Sequence, residues 1–325
     1  MRILVTGGAG YIGSHTVRQL IKNGFETAVL DNLLKGHRES IAGVPFIQAD
    51  LRDEDGLRKV FSEGAFDAVV HFAALSLVGE SMKDPAAYYE NNVCGTLNLL
   101  NALRESGVNK IVFSSTAAVY GEPESVPITE DIHKEPVNVY GRTKLAIERI
   151  LQDFFAAYGL RYVALRYFNA AGADEKGDIG EDHAPETHLI PIIFEAINGR
   201  REAVTVFGND YDTKDGTCIR DYIHVNDLAS AHVLALKHLL DGGGPETFNL
   251  GNGKGYSVLE VINAVEKTTG FKVPCNIGAR RAGDPAVLIA SYEKIKGRLG
   301  WEPKIGLDEI VSSAWAFHKT HPNGY

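Results

Sequence analysis

The chain of 325 residues carries a formal net charge of −9, with 44% hydrophobic and 23% charged residues. This is the composition of an ordinary globular protein, and its acidic balance excludes a broad nucleic-acid or anionic-membrane surface, because both partners need a basic footprint. The length suits one large core with a smaller second domain.

Along the chain, short β-branched runs alternate with longer helical patterns. Strands are predicted at "ILVTG", "ETAVLD", "PFIQAD", "FDAVVHFA", "KIVFSS" and "RYVALRYFN", apolar on both faces as in a buried parallel sheet. Helices between them stop at Gly24, Gly107 and Gly159, and "PAAYYENNVCGTLNLLNALRESG" reads as one continuous helix. Repetition of strand and helix predicts an α/β protein with a Rossmann-type doubly wound parallel sheet. After Asn169 the rhythm breaks. The stretch "AAGADEKGDIGEDHAPETH" is too long for a plain connection and reads as functional or ordered by a ligand. Beyond it come a helix over Leu189 to Asn198, a strand "AVTVF", a helix over Asp227 to Leu240 and a strand "ETFNL". We therefore expect a dinucleotide-binding domain over 1–168, with later segments returning to its sheet, and a smaller α/β substrate domain over 169–325.

Cys94, Cys218 and Cys275 are odd in number and widely spaced, which predicts buried thiols and argues against a disulfide framework or a zinc site. No metal is expected. Met1 leads straight into "RILVTGG" without a signal-type leader, and no apolar run of about 18 residues follows, so a cytoplasmic protein away from membranes is expected.

The first chemical motif is "TGGAGYIG", between the first strand and first helix, where Gly7, Gly8, Gly10 and Gly13 form two overlapping dinucleotide-binding registers. Glycines there let a pyrophosphate approach the helix N-terminus, whose free N–H groups favour an anion. Asp31 ends the second strand 18 residues after Gly13 and is placed to accept hydrogen bonds from an adenosine ribose, which favours NAD over NADP. Lys35 and Arg38 stand nearby as competing cations. Asp50, ending the third strand, reads equally as a contact for adenine or as the cap of the next helix.

Two Tyr-x-x-x-Lys pairs occur, Tyr140/Lys144 in "NVYGRTK" and Tyr292/Lys296 in "SYEKIKG", about as many as chance supplies. Context separates them. "KIVFSSTAAVYG" runs into the hydroxyls Ser114, Ser115 and Thr116 at the strand end where ligands sit in such sheets, and Tyr140 opens a helix 24 residues beyond Thr116. A phenol is a poor base near neutral pH unless positive charge favours phenolate, which Lys144 and an oxidised nicotinamide would supply. Tyr292 follows a polar turn with no such strand upstream, and reads as a solvated helix face.

With "HFAALSLVGES", "LRYFNAAGA", "FGNDYDTKDGTCIRDYIHVNDLA", "FNLGNGKGYSVLEV" and "ARRAGDPA", these motifs resemble the nucleotide-sugar epimerases of the extended short-chain dehydrogenase/reductase family over nearly the whole chain. The resemblance implies interconversion of UDP-galactose and UDP-glucose with a tightly held NAD, through a 4-keto-sugar that turns over before it is reduced again. It assigns Tyr140 as base, Thr116 as the hydroxyl on the sugar 4-oxygen, and Lys144 as the cation that holds the cofactor ribose and lowers the tyrosine pKa. It places Gly7, Gly10, Tyr11, Ile12, Gly13, Asp31, Asn32, Asp50, Leu51, Phe72, Ala73, Ala74, Asn91, Ser114 and Phe168 around the cofactor. Around the UDP-sugar it places Asn169, Leu189, Phe207, Arg220, Arg281, Asp284 and Leu288. A UDP-hexose is the expected ligand and a homodimer the expected assembly.

Ser76 stands where many members of that family carry a lysine near the cofactor. Leu288 is intermediate between the bulky residues that go with exclusion of N-acetylated sugars and the small ones that go with acceptance. Epimerases of UDP-N-acetylhexosamines or UDP-uronates are thus the neighbouring readings, and a non-catalytic NAD-binding module is a reading of another class. Ala117 and Ala118 after Thr116 argue against a dehydratase, which carries acidic residues there.

Overall fold

The computed structural model describes residues 1–281 and 284–325. In chain order the strands are β1 (Arg2–Thr6), β2 (Glu26–Asp31), β3 (Phe46–Gln48), β4 (Ala68–His71), β5 (Lys110–Thr116), β6 (Arg161–Tyr167), β7 (Asn169–Ala171) and β8 (Val204–Phe207). They are followed by β9 (Ile219–Arg220), β10 (Tyr222–His224), β11 (Glu246–Leu250), β12 (Tyr256–Ser257), β13 (Cys275–Gly278) and β14 (Val287–Leu288).

The main sheet has seven strands in the order β11-β6-β5-β4-β1-β2-β3, all parallel. Order reverses at β1, which pairs β2 on one side and β4 on the other, so the crevice at the carboxyl ends of β1 and β4 is the place where such a sheet receives a ligand.

Side chains alternate across the sheet as the strand pleat requires. From β1, Ile3 and Val5 enter one core with Val17, Leu20, Leu228 and Leu236, covered by helices Tyr11–Lys22 and Val225–Leu240. Leu4 enters the opposite core with Leu57, Leu99, Phe113 and Leu151, covered by helices Glu54–Glu63, Gly95–Ser106 and Val139–Tyr158. A third core, around Ile193, Phe194, Val206, Val261, Val265 and Ile310, lies wholly in the second half. Residues 225–250 therefore return to the first body, supplying both a covering helix and the edge strand β11.

The long helix expected over 85–107 is divided. Pro85–Tyr88 is α-helical, Tyr89–Cys94 is a π-helical turn, and Gly95–Ser106 resumes the α-helix. The wider turn accompanies the burial of Asn92, whose amide group both accepts from Leu75 N (2.8 Å) and donates to Leu75 O (2.9 Å), pinning the loop after β4. Cys218 is buried, but Cys94 and Cys275 are exposed, contrary to expectation: Cys94 ends the π turn and Cys275 starts the short two-stranded sheet of β13 and β8.

Under the Tyr140 helix sits a buried charge network. Glu148 and Arg166 are each only 4% exposed at the side chain and form a two-pronged pair, Nε to Oε1 at 2.9 Å and Nη2 to Oε2 at 2.5 Å. Ser115 donates to the same carboxylate at 2.6 Å, and Arg166 also donates to Tyr120 Oη, which donates in turn to Asn249. Removal of one partner of such a pair strands a buried charge, whereas replacement of both by apolar groups does not. Glu148→Ala is expected to lower stability by about 3–5 kcal/mol in urea unfolding, and Glu148→Leu combined with Arg166→Met by clearly less.

Candidate active site

The glycine turn is shaped first by the protein itself. A Cβ on Gly7, whose φ is +71°, would come within 2.4 Å of Ala73 N, and one on Gly13 within 2.2 Å of Gly7 O. These two positions let the loops after β1 and β4 touch and let the first helix start against its own turn. Gly10 differs: a Cβ there would meet nothing closer than Gly7 O at 3.4 Å, and would project into the cleft. Room for a pyrophosphate thus lies at Gly10, at the head of helix Tyr11–Lys22, and the residues fit a dinucleotide.

One cleft runs from this turn across the carboxyl edge of the sheet. Its walls include every residue named above for the cofactor, from Gly7, Gly10, Tyr11, Ile12 and Gly13 through Asp31, Asn32, Asp50 and Leu51 to Phe72, Ala73, Ala74 and Asn91, and on to Ser114, Tyr140, Lys144 and Phe168. Thr116, Asn169 and Ser76 border it as well, whereas neither Tyr292 nor Lys296 does.

At the adenosine end, Asp31 is buried and accepts from Ala9 N (3.0 Å) and Leu33 N (2.9 Å), yet burial still raises its carboxyl above the usual range. The two nearby cations are engaged elsewhere. Lys35 donates to Ala184 O at 3.1 Å, and Arg38 donates to Ile41 O and Val44 O while lying over the Phe46 ring. Asp50 is held well below the usual carboxylate range by the two-pronged Arg52 bond, and accepts from Asn32 at 2.9 Å. It is not the helix cap; that role falls to Asp53, which accepts from Gly56 N at 3.0 Å.

At the other end, Tyr140 and Lys144 share one face of helix Val139–Tyr158, which Asn138 caps by accepting from Gly141 N. Lys144 Nζ donates to Ser114 O at 2.9 Å and lies 5.9 Å from the centre of the Tyr140 ring. Burial dominates both groups. It pushes the Tyr140 phenol up to about 12, against the Thr116 hydroxyl beside it, and lowers the Lys144 ammonium to about 7 despite Glu148. Ser114 Oγ is hydrogen-bonded to the Tyr167 hydroxyl.

The remaining named residues lie outside this cleft. Arg220 is paired with Asp284 and also donates to Ile219 O at 2.8 Å; its partner across the strand pair β9/β14 is Leu288. Arg281 lies over the Phe207 ring at 3.9 Å. Leu189 opens helix Leu189–Ile197, and Leu288 packs on a small core that also holds Tyr120, Leu145 and Phe168. Ala282 and Gly283, inside the motif that Arg281 and Asp284 flank, fall outside the described residues.

Three features escaped the sequence reading. Tyr167 and Asn92 looked like ordinary core and helix positions. A third is a cluster of Glu181, His183, Glu186 and His188 on the cleft wall. Its spacing in the sequence is E-x-H-x-x-E-x-H, a pattern that contains no cysteine.

The description of the NAD-dependent epimerase/dehydratase family matches residues 3–251, and the chain belongs to that family. The UDP-glucose 4-epimerase of Halalkalibacterium halodurans is 58% identical over 100% of this chain and 98% of its own length. The crystal structure of UDP-glucose 4-epimerase from Bifidobacterium longum in complex with NAD+ and UDP is 42% identical, with a TM-score of 0.94 over 100% of both chains. The UDP-Glc/GlcNAc 4-epimerase of Campylobacter jejuni is 45% identical, with a TM-score of 0.87 over 98% of this chain and 99% of that one.

The glycines give a separable test. Gly13→Ala should destabilise the fold, because backbone atoms block the new methyl. Gly10→Val should leave thermal unfolding of the unliganded protein nearly unchanged while weakening NAD binding, measured by calorimetry, by at least about tenfold, an energy of 1.4 kcal/mol.

Proposed function

We propose that the protein interconverts UDP-galactose and UDP-glucose by oxidation at C4 of the hexose to a 4-keto-sugar, rotation of that sugar and reduction on its other face. The observation that carries this reading is the half-buried Tyr140 phenol beside Thr116 and Lys144, on the wall of a cleft that also holds a dinucleotide turn. Held along the Gly10 turn and Asp31, NAD would supply the acceptor and donor of the C4 hydride, while the proton taken from the 4-hydroxyl would return from Tyr140.

The protein's own task is to handle one proton and hold one end of the substrate. Tyr140 removes the proton of the 4-hydroxyl, and Thr116 hydrogen-bonds the same oxygen. A phenol pushed up to about 12 by burial is protonated near pH 7, so the site needs added positive charge before phenolate forms. An oxidised nicotinamide would bring one such charge, and Lys144 in its ammonium form a second. Tyr140 is thus set to act only when the cofactor is in place.

Rotation of the ketose demands loose sugar contacts and a firm hold elsewhere, so binding energy is concentrated on UDP. Arg220 and Arg281 suit a diphosphate, their guanidinium planes already fixed by Asp284 and Phe207. Asn169, Leu189 and Asp284 complete the nucleotide contacts. Leu288, packed on the same small core as Phe168 and Leu145, is the residue we assign to sugar size. The expected assembly is a homodimer through helices Gly95–Ser106 and Val139–Tyr158, which leave Leu97, Phe155 and Tyr158 exposed.

Tyr140→Phe should retain NAD yet lower UDP-galactose turnover by about 10²–10⁴-fold or more, the contribution of a positioned base. Unchanged turnover would overturn the assignment. Lys144→Met should move the acid limb of the pH–rate profile upward by about one to three pH units, because loss of a neighbouring cation raises the pH at which phenolate forms. At Leu288, the ratio of UDP-N-acetylgalactosamine to UDP-galactose turnover should rise in Leu288→Ser and fall in Leu288→Tyr, read by product separation.

A further inference from the structure

The segment between β7 and helix Leu189–Ile197 carries the Glu181, His183, Glu186 and His188 cluster, and nothing in the proposed reaction uses it. One ligand-type atom from each of the four lies within 4.8 Å of all the others. His188 Nδ1 is 2.9 Å from Glu181 and 3.1 Å from Glu186; His183 Nδ1 is 3.4 Å and 3.6 Å from the same two carboxylates.

His183 Nδ1 therefore stands nearly midway between two acceptors, and His188 Nδ1, hydrogen-bonded to Glu186 Oε1 at 3.1 Å, also faces Glu181. A single N–H points along one direction and cannot serve both. The buried Nδ1 of His183 in fact makes no hydrogen bond at all, although two carboxylates face it. Equal approach to several neighbours is instead the pattern of atoms arranged around a common centre. Ligands at 2.0–2.2 Å from a tetrahedral zinc sit roughly 3.3–3.6 Å apart; the two separations at His183, 3.4 and 3.6 Å, lie in that range, and that from His188 to Glu181, 2.9 Å, is shorter. The surroundings support the arrangement. Backbone N–H groups of Thr187 and His188 hold Glu186 through Oε1 at 2.7 and 2.8 Å, which leaves Oε2 toward His183.

Charge gives a second reason. Glu181, His183 and His188 border the cleft with the Gly10–Tyr11 turn, and the His183 ring meets Tyr11 edge-on at 6.3 Å. Two buried carboxylates close to a pocket built for a pyrophosphate need positive charge beside them, which either protonated His183 and His188 or a cation bound between the four residues supplies.

We propose that Glu181, His183, Glu186 and His188 form a closed four-ligand site for a divalent transition metal of the zinc class, which clasps the 170–188 segment against the dinucleotide turn. Two imidazoles and two carboxylates suit a borderline cation rather than calcium or magnesium, which take oxygen ligands in larger number. With all four positions filled by protein, the ion is structural. This site stands whether or not the sugar reaction is as described above.

The test uses the whole chain, purified with any histidine tag removed, dialysed against zinc and passed through gel filtration. Elemental analysis should find about one zinc per chain in the wild type and little in His183→Ala or in His188→Gln, a drop in affinity beyond the ~10–100-fold that loss of an outer-shell partner costs. Diffraction data collected on wild-type crystals across the zinc edge should show an anomalous peak among the four residues, a readout that needs no variant. Chelation should speed protease cleavage within 170–188. Absence of retained zinc, a peak at other histidines only, or equal retention by both variants would overturn the site.

Discussion

The buried pair of Glu148 and Arg166 is the constraint on which the candidate active site depends. It joins the helix that carries Tyr140 and Lys144 to β6, and through Ser115 to β5 one residue before Thr116. Ser115 and Arg166 are neighbours in register across β5 and β6, so both reach one carboxylate from adjacent strands. The helix cannot slide or roll against the sheet without stranding a charge in a medium that solvates it poorly. Asn249 extends the same network to β11 through Tyr120, so an edge strand from late in the chain also steadies the face on which Thr116 stands.

Burial that gives this rigidity also sets the proton chemistry. Lys144 is buried and Tyr140 half-buried in the same wall, and partial loss of water pushes each toward its neutral form. A site that held a permanent phenolate would have to offset that penalty at all times. Under the proposed reaction the penalty is offset by a ligand that brings positive charge, which couples Tyr140 to its cofactor by electrostatics as well as by proximity.

The parts of the molecule that follow from local patterns were legible in the sequence. The strand "ETAVLD" is β2 to the residue, and "ETFNL" is β11, because alternation of apolar runs with glycine-stopped helices is a short-range signal. The Tyr140 pair could be told from Tyr292 and Lys296 only by what preceded it in the chain. What was hidden is what depends on distant partners. Glu148 and Arg166 look like surface charges until β6 and the helix are placed together, and the π turn at Tyr89–Cys94 has no periodicity of its own. Exposure of Cys94 and Cys275 was misjudged because thiols are most often buried, a tendency of the residue type that a turn's end or a short outlying strand overrides. The 170–188 stretch was recognised as too long, but how its Glu and His residues face one another is a matter of three dimensions.

That stretch is also tied across the cleft at two further points: Tyr11 donates to Gly172 O at 2.6 Å, and Lys35 donates to Ala184 O. A strap held in this way would slow the escape of a dinucleotide from the cleft it borders. Under the proposed reaction this makes each molecule a closed electrical circuit: the electrons taken from a sugar stay within the same protein until they go back to it. The ratio of oxidised to reduced nicotinamide outside then has no purchase on the direction of the reaction, which is left to the two sugars alone.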